Sequence, residues 1–168
     1  MSGSRRSFLS ALSAASYARV QGANDRVQLG LIGCGLIGLR HLADFKALDG
    51  CQIAAVCDVY QARTDQARAD AGQGTKGYRD FRHLLEDKQI DAVVISTPDH
   101  WHALQSIMAC AAGKDVYVEK PMTLFVKEGR WMTTAARKYN RIALVGTQGR
   151  SGAHFKEAVP MIRDGYAG

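Results

Sequence analysis

Three glycines, Gly33, Gly35 and Gly38, stand in the spacing G-x-G-x-x-G, and an acid, Asp58, follows the last of them by 20 residues. The residues before the first glycine, Val27 to Ile32, form a short apolar run of strand type, and a second such run, Cys51 to Cys57, leads into Asp58. Strand, glycine turn, helix, strand and acid, in that order, is the arrangement that holds a dinucleotide. Gly33 permits the tight turn, Gly35 leaves the backbone bare for a pyrophosphate, and Gly38 lets the following helix pack close to the sheet. Leu36 and Ile37 occupy the positions between them, where the free N–H groups and positive dipole end of a helix face phosphate. Asp58 is suited to accept hydrogen bonds from both hydroxyls of an adenosine ribose. Its charge repels a 2′-phosphate, so NAD is expected in preference to NADP.

Two later stretches carry further reactive side chains: Ser96-Thr97-Pro98-Asp99-His100-Trp101-His102 and Glu119-Lys120-Pro121. Each follows a strand-like run, so both are expected as loops on the sheet edge that carries the glycine turn. Hydride transfer needs groups that position a nicotinamide and a proton carrier beside a substrate hydroxyl or carbonyl. Lys120 is the candidate for the second task, because an ammonium can hydrogen-bond a substrate oxygen and favour alkoxide character there. His100 and His102 alone do not make a metal set, and no metal site is expected.

Positioning these groups takes a domain of alternating elements. Predicted strands lie at Val27 to Ile32, Cys51 to Cys57, Gly77-Tyr78, Ile90 to Ser96, Asp115 to Glu119 and Ile142 to Val145. The run Ile90 to Ser96, nearly continuous and β-branched, has the character of a strand buried on both faces. Helices are predicted from Leu36 to Leu48, Gln61 to Ala71, Asp80 to Glu86, Ala103 to Ala112 and Leu124 to Tyr139, the last capped by Thr123. A further helix spans Gly152 to Arg163, with Pro160 disturbing its second half. The fold class is therefore α/β, a doubly wound parallel sheet of Rossmann type with right-handed crossovers.

The chain of 168 residues has a net charge of +6, but its basic residues are scattered among acids, which argues against nucleic acid as a partner. No stretch is long and apolar enough for a membrane span. Four cysteines, Cys34, Cys51, Cys57 and Cys110, show neither metal nor disulfide spacing and are expected as small buried hydrophobes. The first residues differ from the rest. Ser4-Arg5-Arg6-Ser7-Phe8-Leu9 matches a twin-arginine export signal, and Ser16-Tyr17-Ala18 is a small-x-small cleavage site. The expected organisation is a signal and linker over 1–26, a cofactor-binding domain over 27–147, and a connecting segment with a helix over 148–168. Export would place the protein in the periplasm.

Taken together, Gly33 to Gly38, Cys57-Asp58, Ser96 to His102 and Glu119-Lys120-Pro121 resemble the glucose–fructose oxidoreductase, inositol dehydrogenase and MocA family. The resemblance runs in order from Val27 to Gly168. It implies an NAD(P)-dependent oxidoreductase acting on a sugar, cyclitol or related polyol, with Lys120 against both the nicotinamide ribose and the substrate. Pro121 shapes that turn, Glu119 counts with Lys120 among the cofactor-binding residues, Thr97, Pro98 and His102 line the nicotinamide end, and Gln148 approaches the cofactor from the segment after the sixth strand. The family continues into a second, mostly antiparallel domain. The resemblance therefore implies that these residues are the cofactor half of a larger homo-oligomeric enzyme, inactive alone, with an apolar surface left exposed. A glycosidase working through transient oxidation and a non-catalytic NAD-binding fragment are the alternatives.

Overall fold

The computed structural model describes residues 26–166. The twin-arginine segment lies outside these residues. Six strands form one parallel sheet: β1 (Val27–Ile32), β2 (Cys51–Cys57), β3 (Lys76–Tyr78), β4 (Ala92–Ile95), β5 (Asp115–Glu119) and β6 (Ala143–Gly146). Their order in space is β3-β2-β1-β4-β5-β6. The chain runs outward from β1 to β3, returns across the sheet to β4, and runs outward again to β6. The reversal lies between β1 and β4, where an open α/β sheet leaves a crevice at its carboxyl edge.

Alternation along the strands divides the core between two faces. Leu29, Leu31, Val56 and Val94 point to the face covered by α1 (Leu36–Lys46) and α2 (Gln61–Ala71), where they meet Leu42 and Ala67. Val93, Ile95, Val116 and Val118 point to the other, covered by α3 (Phe81–Glu86), α4 (Asp99–Ala111) and α5 (Val126–Lys138), against Leu84, Ala109 and Met132. Full burial of each such aliphatic side chain contributes about 1.5–3 kcal/mol. Cys34, Cys57 and Cys110 are buried as expected, while Cys51 is half-buried. At the far edge the packing thins. Ile142, Leu144, Ile162 and Tyr166 are exposed on β6, its approach, the end of α6 (Ala153–Arg163) and the turn that follows it. No helix among the described residues is long and apolar enough to cross a membrane.

Several boundaries differ from the predicted ones, each for a local reason. The helix expected from Ala103 begins at Asp99, four residues earlier. Pro98 is fixed at φ −58° as its N-cap, and Asp99 places an acid in the first turn, where it complements the dipole. The loop after β4 is thus short, and His100, Trp101 and His102 are helical. Helix α5 starts at Val126, and its cap is not Thr123: the Glu128 carboxylate reaches back to accept the N–H groups of Leu124 and Phe125, each at 3.0 Å. Pro160 does not break α6, which runs through to Arg163.

The glycine turn shows which of its positions are compulsory. Gly33 has φ +92°, and a Cβ there would stand 2.8 Å from the backbone of Ser96 and Thr97. A Cβ on Gly38 would overlap the Gly33 carbonyl oxygen, so the third glycine serves the turn's own backbone more than helix–sheet packing. At Gly35 the nearest atom to such a Cβ is Arg63 Nη1 at 4.0 Å. Gly38→Ala is therefore expected to destabilise the domain by about 1–3 kcal/mol in urea unfolding. Gly35→Ala should leave the unfolding midpoint unchanged while weakening cofactor binding. Equal stability of the Gly38→Ala protein would contradict the reading.

Candidate functional site

Above the carboxyl ends of β1, β2 and β4 lies a cleft of about 710 Å³. Gly33, Gly35, Leu36, Ile37, Asp58, Thr97 and Pro98 line it, so seven of the sequence-predicted positions meet in one place. Gly38 stands directly behind, shaping the turn. Leu36 is 88 % exposed and Ile37 47 %, an unusual amount of open apolar surface at the start of a helix. Gly35 caps that helix without any side-chain hydrogen bond, which leaves the first N–H groups of α1 available to a ligand.

Asp58 is the hinge between turn and cleft. Its Oδ2 accepts the Cys34 N–H at 2.8 Å, and its Oδ1 accepts the Tyr60 N–H at 2.9 Å. Each oxygen keeps a second lone pair, and the residue lines the cleft. Burial pushes the thiols of Cys34 and Cys57 up to about 12, with the Asp58 charge adding to the effect, so neither is a thiolate nucleophile. The Ser96 hydroxyl is buried at the cleft floor without a protein partner.

Sequence reading did not single out Arg63, Arg79, Phe81 and Gln105, which also line the cleft. Gln105 accepts the Thr97 hydroxyl at 2.7 Å and so fixes that side chain. Arg63, in the first turn of α2, places a cation over the glycine turn. Its signal was its place just past Asp58, which puts it on the same edge.

The remaining predicted residues form a second cluster, outside the cleft lining. Glu119 is buried at the end of β5. Its Oε1 accepts from His41 Nε2 at 2.6 Å and from the Gln148 amide, and its Oε2 accepts the Lys120 N–H at 2.8 Å. Burial pushes the Glu119 carboxyl up, but the bonds from His41, Gln148 and Lys120 outweigh it and hold the group below its ordinary value. His102 is 1 % exposed, with Nδ1 at 2.7 Å from the Pro121 carbonyl and Nε2 at 2.7 Å from the Thr97 carbonyl. Its ring is engaged by backbone behind the cleft wall. Lys120, by contrast, is exposed. The Lys120–Pro121 peptide is cis. Among the described residues no group of His, Cys, Asp and Glu side chains is arranged to hold a metal ion.

A parallel sheet with a glycine cradle at its reversal point, free helix N–H groups and an acid at the end of β2 defines a dinucleotide-binding domain. The cradle admits no Cβ at Gly33 or Gly38 and the cleft is open at Gly35, which fits the approach of a pyrophosphate to bare backbone. Residues 27–147 match the family model GFO_IDH_MocA, described as an oxidoreductase family with an NAD-binding Rossmann fold, and the chain belongs to that family. It is 32% identical over 152 residues to a glycosyl hydrolase family 109 protein of Shewanella baltica, a match covering 86% of this chain and 33% of the relative. Among solved structures it resembles scyllo-inositol dehydrogenase from Lactobacillus casei with bound NAD(H) and scyllo-inositol, at 25% identity and TM-score 0.78. Myo-inositol 2-dehydrogenase from Lactobacillus plantarum is similar at 26% and 0.78. Both matches cover 85% of this chain and 42% of the other. The chain thus spans about a third of the length of the curated relatives it matches.

The lowered Glu119 carboxyl has a definite pH signature. A group whose folded value lies below its unfolded value of 4.5 contributes stability above that pH and loses it as pH falls through the folded value. The stability gap between the native protein and Glu119→Gln is expected to be constant near neutrality and to shrink below pH 4.5 in urea titrations. A gap that widens on acidification would contradict the assignment.

Proposed function

We propose that the complete gene product is an NAD-dependent oxidoreductase acting on a sugar, cyclitol or related polyol, and that this chain supplies its cofactor-binding half. The observation that carries the reading is the glycine-walled cleft with Asp58 and Thr97 on its rim, on the same sheet edge as the exposed Lys120. Gly33 to Gly38 would hold the pyrophosphate, Asp58 the adenosine ribose, and Thr97 and Pro98 the nicotinamide end. When bound, NAD supplies the hydride acceptor. Lys120 hydrogen-bonds the substrate oxygen and handles its proton, stabilising the alkoxide character that develops there. Glu119, Gln148 and His102 hold the loops that present these groups.

The curated relatives favour a second reading, hydrolysis of a glycoside through transient oxidation, because those with over 30% identity include glycosyl hydrolase family 109 proteins. In that case the cofactor is restored at each turnover. Absorbance in the NADH band, measured with sugar release on the complete gene product, separates the readings. Accumulating NADH supports the oxidoreductase, sugar release without it supports the glycosidase, and neither leaves a binding domain without turnover. The string Ser4 to Leu9 supports export by the twin-arginine route, which carries folded, cofactor-loaded proteins to the periplasm. A homo-oligomer is proposed for the complete protein.

Two substitutions test the residue roles. Asp58→Asn keeps an acceptor but removes the charge, and is expected to weaken NAD binding by roughly tenfold and narrow its advantage over NADP in calorimetry. Unchanged affinity for both cofactors would contradict the ribose role. Lys120→Ala is expected to lower turnover by about 10²–10⁴-fold while NAD affinity changes by only a few-fold. Normal turnover would make Lys120 a bystander.

A further inference from the structure

The backbone around Lys120 is held by two buried histidines that come from different parts of the fold. Lys120 lies just past the last paired residues of β5: the ladder to β4 ends at Val118 and that to β6 at Glu119. Where the ladders stop, side chains take over. On the N-terminal side, His41 Nε2 donates to Glu119 Oε1 at 2.6 Å, and Glu119 Oε2 accepts the Lys120 N–H at 2.8 Å. On the C-terminal side, the His102 ring meets the Pro121 carbonyl at 2.7 Å and the Thr97 carbonyl at 2.7 Å. His41 belongs to α1, which springs from the glycine turn, and His102 to α4, which springs from the loop carrying Thr97 and Pro98.

We propose that His41 and His102 are positioning residues that register Lys120 against the two cofactor-lining loops. Neither touches a ligand: His41 is 5 % exposed and His102 1 %. Each acts through one residue that flanks Lys120, His41 through the side chain of Glu119 and His102 through the carbonyl of Pro121. Both tethers start on helices whose N-terminal residues line the cleft, Leu36 and Ile37 on α1 and Trp101 and Gln105 on α4, so the lysine is referenced to the surfaces that form the cofactor cleft. The Lys120 side chain makes no ion pair among the described residues, so the tethers on its neighbours fix the place of its Cα, from which the side chain starts. Hydride and proton transfer are sensitive to such placement, since a displacement of about 1 Å can lower a rate by about 10²-fold. The proposal rests on the reading of Lys120 as the proton-handling group.

The test uses the complete gene product with NAD and a polyol substrate that it oxidises. His41→Leu and His102→Leu remove the tethers, whereas His41→Gln keeps an amide N–H at the place of Nε2, facing Glu119, and His102→Asn keeps one at the place of Nδ1, facing the Pro121 carbonyl. Turnover, NAD dissociation constant, melting temperature and the pH profile of turnover are measured for each. In the leucine variants the expected result is turnover lowered about 10²-fold and a displaced pH profile, with NAD affinity held within a few-fold. The two amide variants should regain most of the turnover. Leucine variants that turn over normally, or amide variants that turn over no better than the leucine ones, would overturn the proposal. If the leucine variants fail to fold, His102→Gln replaces them, its longer side chain carrying the amide nitrogen to the place of Nε2, toward Thr97 instead of Pro121. Loss with Gln and retention with Asn at position 102 supports the tether, and equal behaviour overturns it. Lys120→Ala is the control that separates the two levels. If it turns over normally, the reading of the lysine fails and the positioning role falls with it. An inactive Lys120→Ala beside active histidine variants removes the positioning role alone.

Discussion

The carboxyl ends of β1 and β4 come together at Gly33 so closely that no side chain fits between them. A Cβ on Gly33 would stand 2.8 Å from the Ser96–Thr97 backbone, and one on Gly38 would enter the Gly33 carbonyl. This contact fixes the turn, and the turn fixes where α1 begins. It also sets the Thr97 loop beside the glycine turn, so both walls of the cleft are defined by one close approach. Asp58 completes the arrangement by accepting the Cys34 N–H from the third side.

Behind that cleft the polar groups are sorted by task. Asp58 and Arg63 line the cleft: Arg63 is exposed, and Asp58, buried and anchored by the Cys34 and Tyr60 N–H groups, keeps a lone pair on each oxygen for a ligand. Those behind it, His41, Glu119 and His102, are buried and face one another or backbone carbonyls. A buried polar network of this kind is costly unless every member is paired, and when paired it fixes geometry. The same edge of the sheet thus has a layer that lines the cleft and a rear layer that holds it in place.

Much of this was legible in the residues. The sheet follows from apolar runs at regular spacing, and the cleft from three glycines and an acid, because glycine at a forbidden position and acid at a strand end leave unmistakable local marks. Tertiary partnership was harder to read. His102 stood in a motif suggestive of contact with a cofactor, yet Pro98 and Asp99 start the helix early and carry its ring behind the wall. His41 gave only a faint sign, a polar residue at a core-facing position three residues past Gly38. Its partner is 78 residues away in sequence, a distance over which periodicity conveys nothing. Likewise Glu128 caps α5 and Thr123 does not, because the helix starts at Val126 with Phe125 as its N-cap, two residues past Thr123, and the Glu128 carboxylate accepts the Leu124 and Phe125 N–H groups.

The central claim is that the glycine-walled cleft binds NAD. It is tested most directly by titrating NAD into this chain and following backbone amide resonances. Saturable one-to-one binding is expected, with the largest shifts at Gly33 to Gly38, Asp58 and Thr97 and little change on the far edge of the sheet. Saturation without shifts at the glycine turn, or no binding at millimolar NAD, would contradict it.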